Sequence, residues 1–349
     1  MANFDDMKVA VEALSGGKNT VILDDQDMPS IMVAFPKFKI SEVIKGGSEN
    51  VHPAFMVGGV EKDVIYVSKF QNIVMNDRAY SLPFKDPKTD INFDTALSCC
   101  RNKGEGWGLI PYSVWSAIAL WCRKNGTMPR GNNQYGCDVS YKHEKGVQTS
   151  KDSERTGRIA TGSGPATWNH NWLPDGIADL NGNINEWTAG FRTMNGELQI
   201  IPYANCMQSS VSMAAGSTEW KAISKNGSLV APGTDGTLKW TTMGEKIQLT
   251  AGSITPVDQN NWLPYNNMVL DSSVSSVPEI VKALLMYPDE PNGDYGQDNH
   301  GINTSGERLA YCGGIWGNGS TAGVFYVGLD SSRSASNGGL GLRSTFVNL

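Results

Sequence analysis

Residues 310–349 read AYCGGIWGNGSTAGVFYVGLDSSRSASNGGLGLRSTFVNL. Two kinds of residue alternate in this stretch. Gly313, Gly314, Trp316, Ala322, Gly323, Val324, Phe325, Leu329, Arg333, Gly341 and Arg343 form a frame. Its glycines suit tight turns and close backbone approach, and its large groups suit a filled core. The other kind is Tyr311, Ile315, Gly317, Ser320, Thr321, Gly328, Asp330, Ser331, Ser334, Ser336, Asn337, Gly338 and Gly339. These share no side-chain chemistry. They share a position in the genetic code, because Asn, Ser, Thr, Ile, Gly, Asp and Tyr are all reached from the codon AAC by changing its first two bases.

On those residues the segment resembles the variable region of proteins diversified by diversity-generating retroelements, in which template adenines are copied unfaithfully. The family pattern, roughly Arg-Gly-Gly-x-Trp-x-x-Gly-x-x-Ala-Gly-Val-Phe followed by Leu, Arg and Gly-Phe-Arg, is met with two departures. Cys312 stands where Arg is usual, and Leu342 where Phe is usual. The resemblance implies a C-type lectin fold and a ligand-binding role for the interspersed set.

Upstream motifs point the same way. Lys69-Phe70-Gln71, Phe93-Asp94-x-Ala96, Gly106-Trp107-x-Leu109, Pro129-Arg130-Gly131-Asn132 and Asp179-Leu180-Asn181-Gly182-Asn183-Ile184-Asn185-Glu186-Trp187 together look like the formylglycine-generating-enzyme branch of that fold. Pro111 replaces a Thr-like cap before the following helix, which a helix start tolerates. The fold class expected is therefore α+β, a C-type lectin fold with a β-rich insertion. Residues 1–20 read as an N-terminal arm and 21–349 as the lectin domain, with 193–275 the insertion and 310–349 the variable region.

Bulk properties narrow the partners. With 39 glycines in 349 residues and only 18% charged residues, the chain is turn-rich rather than built from long charged helices. A net charge of −6 without a basic cluster argues against nucleic acid as a partner. No apolar run approaches the roughly 18 residues of a membrane span, so no membrane insertion is expected. The first residues, MANFDDMKVAVEALSGGKN, lack a basic start followed by an apolar block and predict synthesis without a signal peptide. Six irregularly spaced cysteines, at 99, 100, 122, 137, 206 and 312, predict buried thiols rather than a disulfide framework. The four histidines at 52, 143, 170 and 300 have no metal-ligand spacing, so no metal site is assigned from them.

Periodicity places the elements. Phe4 to Leu14 is amphipathic and ends at Gly16-Gly17; it reads either as an arm that frays or as an attachment segment. Strands are expected within Thr20 to Phe38, at Ala54 to Val57 and at Val64 to Phe70. Asp90 is the candidate cap of a helix carrying Phe93, Ala96, Leu97 and Cys100. The strongest helix runs from Tyr112 to Lys124, with an apolar stripe that reads as core, basic Arg123-Lys124 in its last turn and Asn125-Gly126 as its stop. Within 193–275, short β-prone runs occur at Leu198 to Ile201, Leu229 to Val230, Leu238 to Trp240 and Ile247 to Leu249. The tetrapeptide Asn-Trp-Leu-Pro appears at 171–174 and again at 261–264, which reads as coincidence. Ser276 to Glu279 predicts a capping box opening a helix through Met286.

Asp179, Asn181 and Asn183 place oxygens at alternate positions, which invites a structural calcium ion; EF-hand spacing is not met, because Gly190 stands where the closing glutamate belongs. The preferred reading is a hairpin turn at Asn181-Gly182 without an ion, with Glu186 a buried carboxylate accepting backbone or Trp hydrogen bonds. No cofactor is assigned.

Catalysis is not expected. The enzymatic relatives, as the resemblance implies, hold copper on a cysteine pair between the Gly-Gly-x-Trp strand and the Gly-Phe-Arg end, whereas this sequence has no cysteine after Cys312. No Gly-x-Ser-x-Gly elbow marks a nucleophile. Binding demands what the end of the chain offers, namely exchangeable side chains facing solvent and neighbours filling a core. On that basis Tyr311, Tyr326, Asp330 and the Ser/Asn/Gly set are expected to face a ligand, with chemistry resembling that of antibody paratopes. The expected partner is a bacterial cell-surface protein or glycan. The expected setting is a phage or prophage tail-fibre tip in the virion, with a bacterial cell-surface variable protein or a formylglycine-generating-enzyme-like oxidase as the alternatives. Phage relatives imply a homotrimer; the residues themselves do not.

Overall fold

The computed structural model describes residues 4–290 and 292–349. It is α+β, dominated by strands, with five α-helices among the described residues: α1 (Asp5–Ser15), α2 (Ile40–Val43), α3 (Phe93–Arg101), α4 (Tyr112–Asn125) and α5 (Glu279–Ala283). None is long and apolar enough to cross a membrane.

Two sheets carry the architecture. The first is five-stranded and antiparallel, in the order Asn19–Leu23, Pro29–Pro36, Val64–Ser68, Ser344–Phe346, Trp107–Leu109. The second has twelve strands. Its spine runs Asn261–Pro264, Asn299–Ile302, Gly323–Leu329, Glu307–Gly313, Asn185–Met194, Glu197–Ile200, Lys239–Met243, Lys246–Thr250 and Val269–Leu270. The short strand Leu340–Leu342 joins it parallel to Asn185–Met194. The end of the chain therefore enters the second sheet at 340–342 and the first at 344–346, and Arg343 lies between the two.

That crossing explains why a guanidinium is buried. Arg343 donates to Glu186 through Nε (2.7 Å) and Nη2 (2.8 Å), to Ser68 O (2.8 Å) and to Ala178 O (2.9 Å). Gln71 Nε2 adds a bond to Glu186 Oε1 at 2.9 Å, and Gln71 Oε1 accepts from Asn183 Nδ2 at 2.7 Å. The Lys-Phe-Gln, Asp179-to-Trp187 and Gly-Leu-Arg motifs thus meet in one polar network. Glu186 pairs with Arg343 and Gln71, not with the backbone or Trp donors expected for it.

Helix α4 is the apolar hub. Ten of its residues are buried, its first residue follows Pro111, and Gly126 stops it in the left-handed conformation that a residue without Cβ adopts at low cost. Trp115 is fully buried and ties the helix to the strand Gly323–Leu329, its Nε1 donating to Val324 O at 2.8 Å. Burial of a side chain of this size contributes roughly 2–3 kcal/mol.

Several local expectations are corrected. The cap of α3 is Asn92, whose side chain accepts from Thr95 N at 2.9 Å; Asp90 lies outside the helix, with φ 54°. Ala54 belongs to a 3-10 turn, Pro53–Phe55, ahead of a two-residue strand. Helix α5 ends at Ala283, and Glu279 binds Ser48 N and Oγ instead of completing a capping box. Asn181-Gly182 is not a hairpin turn: Gly182 presses on Asn132, where a Cβ would lie 2.2 Å from the carbonyl oxygen. The oxygens that suggested calcium already have protein donors. Asp179 Oδ2 accepts from Gly162 N, Asn181 Oδ1 from Asn133, and Asn183 Oδ1 from Ile159 N. The two Asn-Trp-Leu-Pro copies differ in conformation, the first lying in turns with Trp172 at φ 57° and the second forming a strand.

Candidate ligand-binding surface

Residues 310–349 fold as a pair of antiparallel strands followed by a returning segment. Tyr311 pairs with Gly328, Cys312 with Val327, and the register then shifts so that Gly313 meets Gly323. Gly313 and Gly314 take positive φ (98° and 82°), and a Cβ on Gly314 would collide with Ala322 at 2.6 Å, so the turn into the loop at 315–321 requires glycine. Val324, Phe325, Leu329, Gly341 and Arg343 are buried, as are Gly313 and Gly314; Trp316 and Arg333 are half-buried. Trp316 Nε1 donates to Asp152 at 3.0 Å, and Arg333 binds Glu307 and Asp94.

The residues expected to face a ligand divide into three environments. Gly317, Ser320, Ser334, Ser336 and Asn337 are exposed. Ile315, Thr321, Asp330, Ser331 and Gly338 are half-buried. Tyr311, Tyr326, Gly328 and Gly339 are buried. Outward orientation therefore fails for both tyrosines, which are 6% and 4% exposed. The cause is remote in sequence. Trp262, on the strand Asn261–Pro264, stacks on Tyr326 with ring centres 4.9 Å apart and planes 20° apart, and lies 6.4 Å from the Tyr311 ring.

The strand Asn261–Pro264 is pinned in that position. Trp262 is opposite Gly301, where a Cβ would meet its ring at 2.6 Å. Asp258 accepts from Arg308 and Asn303, and Asn260 accepts from Asn303. Beneath the cover, Tyr311 stands edge-on to Trp187 at 5.7 Å and donates to Asp330 Oδ1 at 2.6 Å. Gly328 is the seat of the Tyr311 ring, since a Cβ there would lie 2.2 Å from it. Burial first, and the Asp330 carboxylate second, push the Tyr311 phenol well above its ordinary range.

The exposed set is nevertheless contiguous in part. A Cβ on Gly339 would lie 3.0 Å from the Ile315 side chain and 3.5 Å from Asn337 Oδ1, so the loop at 315–321 and the end of the returning segment touch. Fixed residues border them. Gly317 lies against the Tyr135 hydroxyl, Arg155 stacks on the Tyr135 ring at 3.4 Å, and Arg158 donates to Gly338 O at 3.3 Å. Asp330 and Ser331 lie beside Tyr311 and Arg308, at the opposite end of the strand Gly323–Leu329. Sequence reading missed Trp262, Tyr135 and Arg155. Only the second Asn-Trp-Leu-Pro copy hinted at Trp262, and nothing in its spacing tied it to the tyrosines.

Cys312 is buried opposite Glu186, and burial pushes its thiol well above the ordinary range. All six cysteines are free.

No family model and no curated protein matches the chain. Solved structures do, among them two that each match over 94% of this chain and 71% of their own length at 10% identity. They are a Major Tropism Determinant U1 Variant, with a TM-score of 0.31, and a Major Tropism Determinant P3c Variant, with a TM-score of 0.32. Likeness at that level decides nothing about this chain.

Proposed function

We propose that this chain is a non-catalytic ligand-binding protein of C-type lectin fold, in which a retroelement diversifies residues 310–349. Its setting is the tail tip of a phage or prophage, its ligand a bacterial surface protein or glycan, and its place in the virion. One observation carries the reading: within 310–349 the strands fill the core, while Gly317, Ser320, Ser334, Ser336 and Asn337 reach solvent on loops that can change without touching it. Small polar residues of this kind bind through adaptable hydrogen bonds and modest area. Affinity then comes from several copies acting together, as a homotrimer would supply.

Adhesion and DNA context test the reading separately. Labelled protein should bind cells of a susceptible bacterium. Replacing Ser334, Ser336 and Asn337 together by Tyr should abolish or redirect that binding while the fold persists. An adenine-rich near-copy of the last forty codons should lie beside a reverse transcriptase gene. Binding indifferent to the triple replacement overturns the assignment of the surface; absence of the near-copy overturns diversification.

A further inference from the structure

Beside the exposed loop lies a cavity of about 170 Å³. It is lined by residues from 128–141, 296–298 and 320–324 and by Asn181. Met128, Pro129, Ala322 and Val324 make the apolar part of the lining, Asn133, Ser140, Asn181 and Gln297 are among its polar groups, and Ser320 is exposed. The lining also carries a carboxylate, Asp298. Asp298 is 3% exposed, and its Oδ2 accepts from Phe325 N at 2.8 Å. The carboxylate is seated against the backbone, because a Cβ on Gly323 would lie 2.3 Å from one oxygen and 2.4 Å from the other.

No Lys, Arg or His among the described residues pairs with Asp298. Arg130, the one cation of the lining, is committed to Glu144 and stacks on the Tyr141 ring at 3.3 Å. The other nearby acids are occupied or exposed. Asp138 accepts three backbone N–H groups, from Gly131, Ser140 and Tyr141, and Asp294 accepts from Gly296 N. His300 follows Asp298 by two residues but stacks within the core against Tyr265. Burying a carboxylate without a counter-ion is costly, so the group holds a proton or waits for a cation. Burial, with Asp294 adding to it, raises the Asp298 carboxyl well above its ordinary range.

We propose that this cavity takes a primary ammonium group at the end of an apolar stem, as in a lysine side chain of the ligand, with Asp298 as the counter-ion. Met128, Pro129, Ala322 and Val324 offer apolar contact to the stem. One carboxylate oxygen without a protein donor suits a compact ammonium better than a forked guanidinium, which favours two acceptors. A metal ion is the poorer match, since no group of three or more His, Cys, Asp or Glu among the described residues could hold one. The inference rests on the ligand-binding reading and deepens it: the cavity is a fixed anchor beneath an exchangeable rim.

Titration calorimetry of the full chain with Nα-acetyl-lysine methylamide, its norleucine counterpart and calcium chloride tests the proposal. The lysine compound should bind roughly tenfold or more tightly than the norleucine compound, and its affinity should rise with pH as Asp298 ionises. Asp298→Asn keeps an oxygen for Phe325 N–H and should lose that preference. Ser320→Lys, at an exposed position, should occupy the cavity from within and exclude the free compound, with thermal unfolding confirming that both variants are folded. Equal binding of the two compounds, no binding, or a preference that survives Asp298→Asn overturns the proposal. Calcium binding that Asp298→Asn abolishes replaces it with a metal site. Cell adhesion that persists when the amine does not bind overturns the anchor alone, and amine binding by a protein that adheres to no cell overturns the adhesin reading alone.

Discussion

Arg343 and Glu186 form a two-pronged ion pair, Nε to Oε2 at 2.7 Å and Nη2 to Oε1 at 2.8 Å, with neither side chain reaching solvent. The pair lies where the chain passes from one sheet to the other. Removing one partner leaves a buried charge without compensation, which costs about 3–5 kcal/mol. Arg343→Met should therefore lower stability by that order in urea unfolding. The double variant Arg343→Met with Glu186→Leu should recover part of the loss. Unchanged stability in the single variant would deny the pair its structural role.

Variation at the exposed positions should be nearly silent in stability. Replacing Ser334, Ser336 and Asn337 should change unfolding free energy by no more than about 0.5 kcal/mol at each site. Tyr311→Ala should cost about 3 kcal/mol, because it empties a packed space between Trp187 and Trp262. Differential scanning calorimetry of the two sets separates surface from core within one stretch of chain.

Trp262 governs the two tyrosines. Their phenols are held above the ordinary 10.0 chiefly by burial, with Asp330 adding to it. Trp262→Ala should expose both rings and bring their ionisation back toward that value. Ultraviolet titration into alkali, compared with the native protein, reads the change directly. An unaltered profile would mean that other groups keep the rings dry.

His300 should set part of the acid sensitivity. It is buried between Tyr265 and Trp240, and neither ring nitrogen has a hydrogen-bond partner. The Phe325 backbone lies near enough to favour the charged form slightly, but not in hydrogen-bond geometry. Burial lowers the histidine from 6.5 to about 3. A histidine with a lowered folded value is neutral in the native state, while the unfolded chain takes up a proton below 6.5. Its stabilisation is present above 6.5 and is lost as pH falls toward 3. His300→Phe should remove that loss, so the stability difference between variant and native protein should grow by up to about 1.4 kcal/mol per pH unit of acidification in that window. Comparing the two proteins at each pH cancels the opposite contribution of Asp179, whose buried carboxyl is raised to about 6.

Local pattern made much of the fold legible. The apolar stripe of Tyr112 to Lys124 gave α4 and its stop at Gly126, and the β-prone runs of 193–275 gave four strands close to their observed bounds. The errors fall where a side chain's partner is distant. Glu279 opens α5 but turns its side chain to Ser48, and Asn181-Gly182, a strong local hairpin signal, is instead bent against Asn132 and Asn133. For the candidate site, the loops carrying Ser320 and Ser334 to Asn337 were legible because nothing from elsewhere covers them.

The sequence by itself marked Val324, Phe325, Leu329, Gly341 and Arg343 as a frame that the fold buries, since size, glycine content and apolar spacing are properties of the residues in place. Only the tertiary structure decided which of the residues between them meet solvent. Periodicity records the character of each face of a strand, but what lies against that face depends on chain dozens of residues away. Here Trp262 closes over Tyr311 and Tyr326, and Asp298 comes to lie under Gly323.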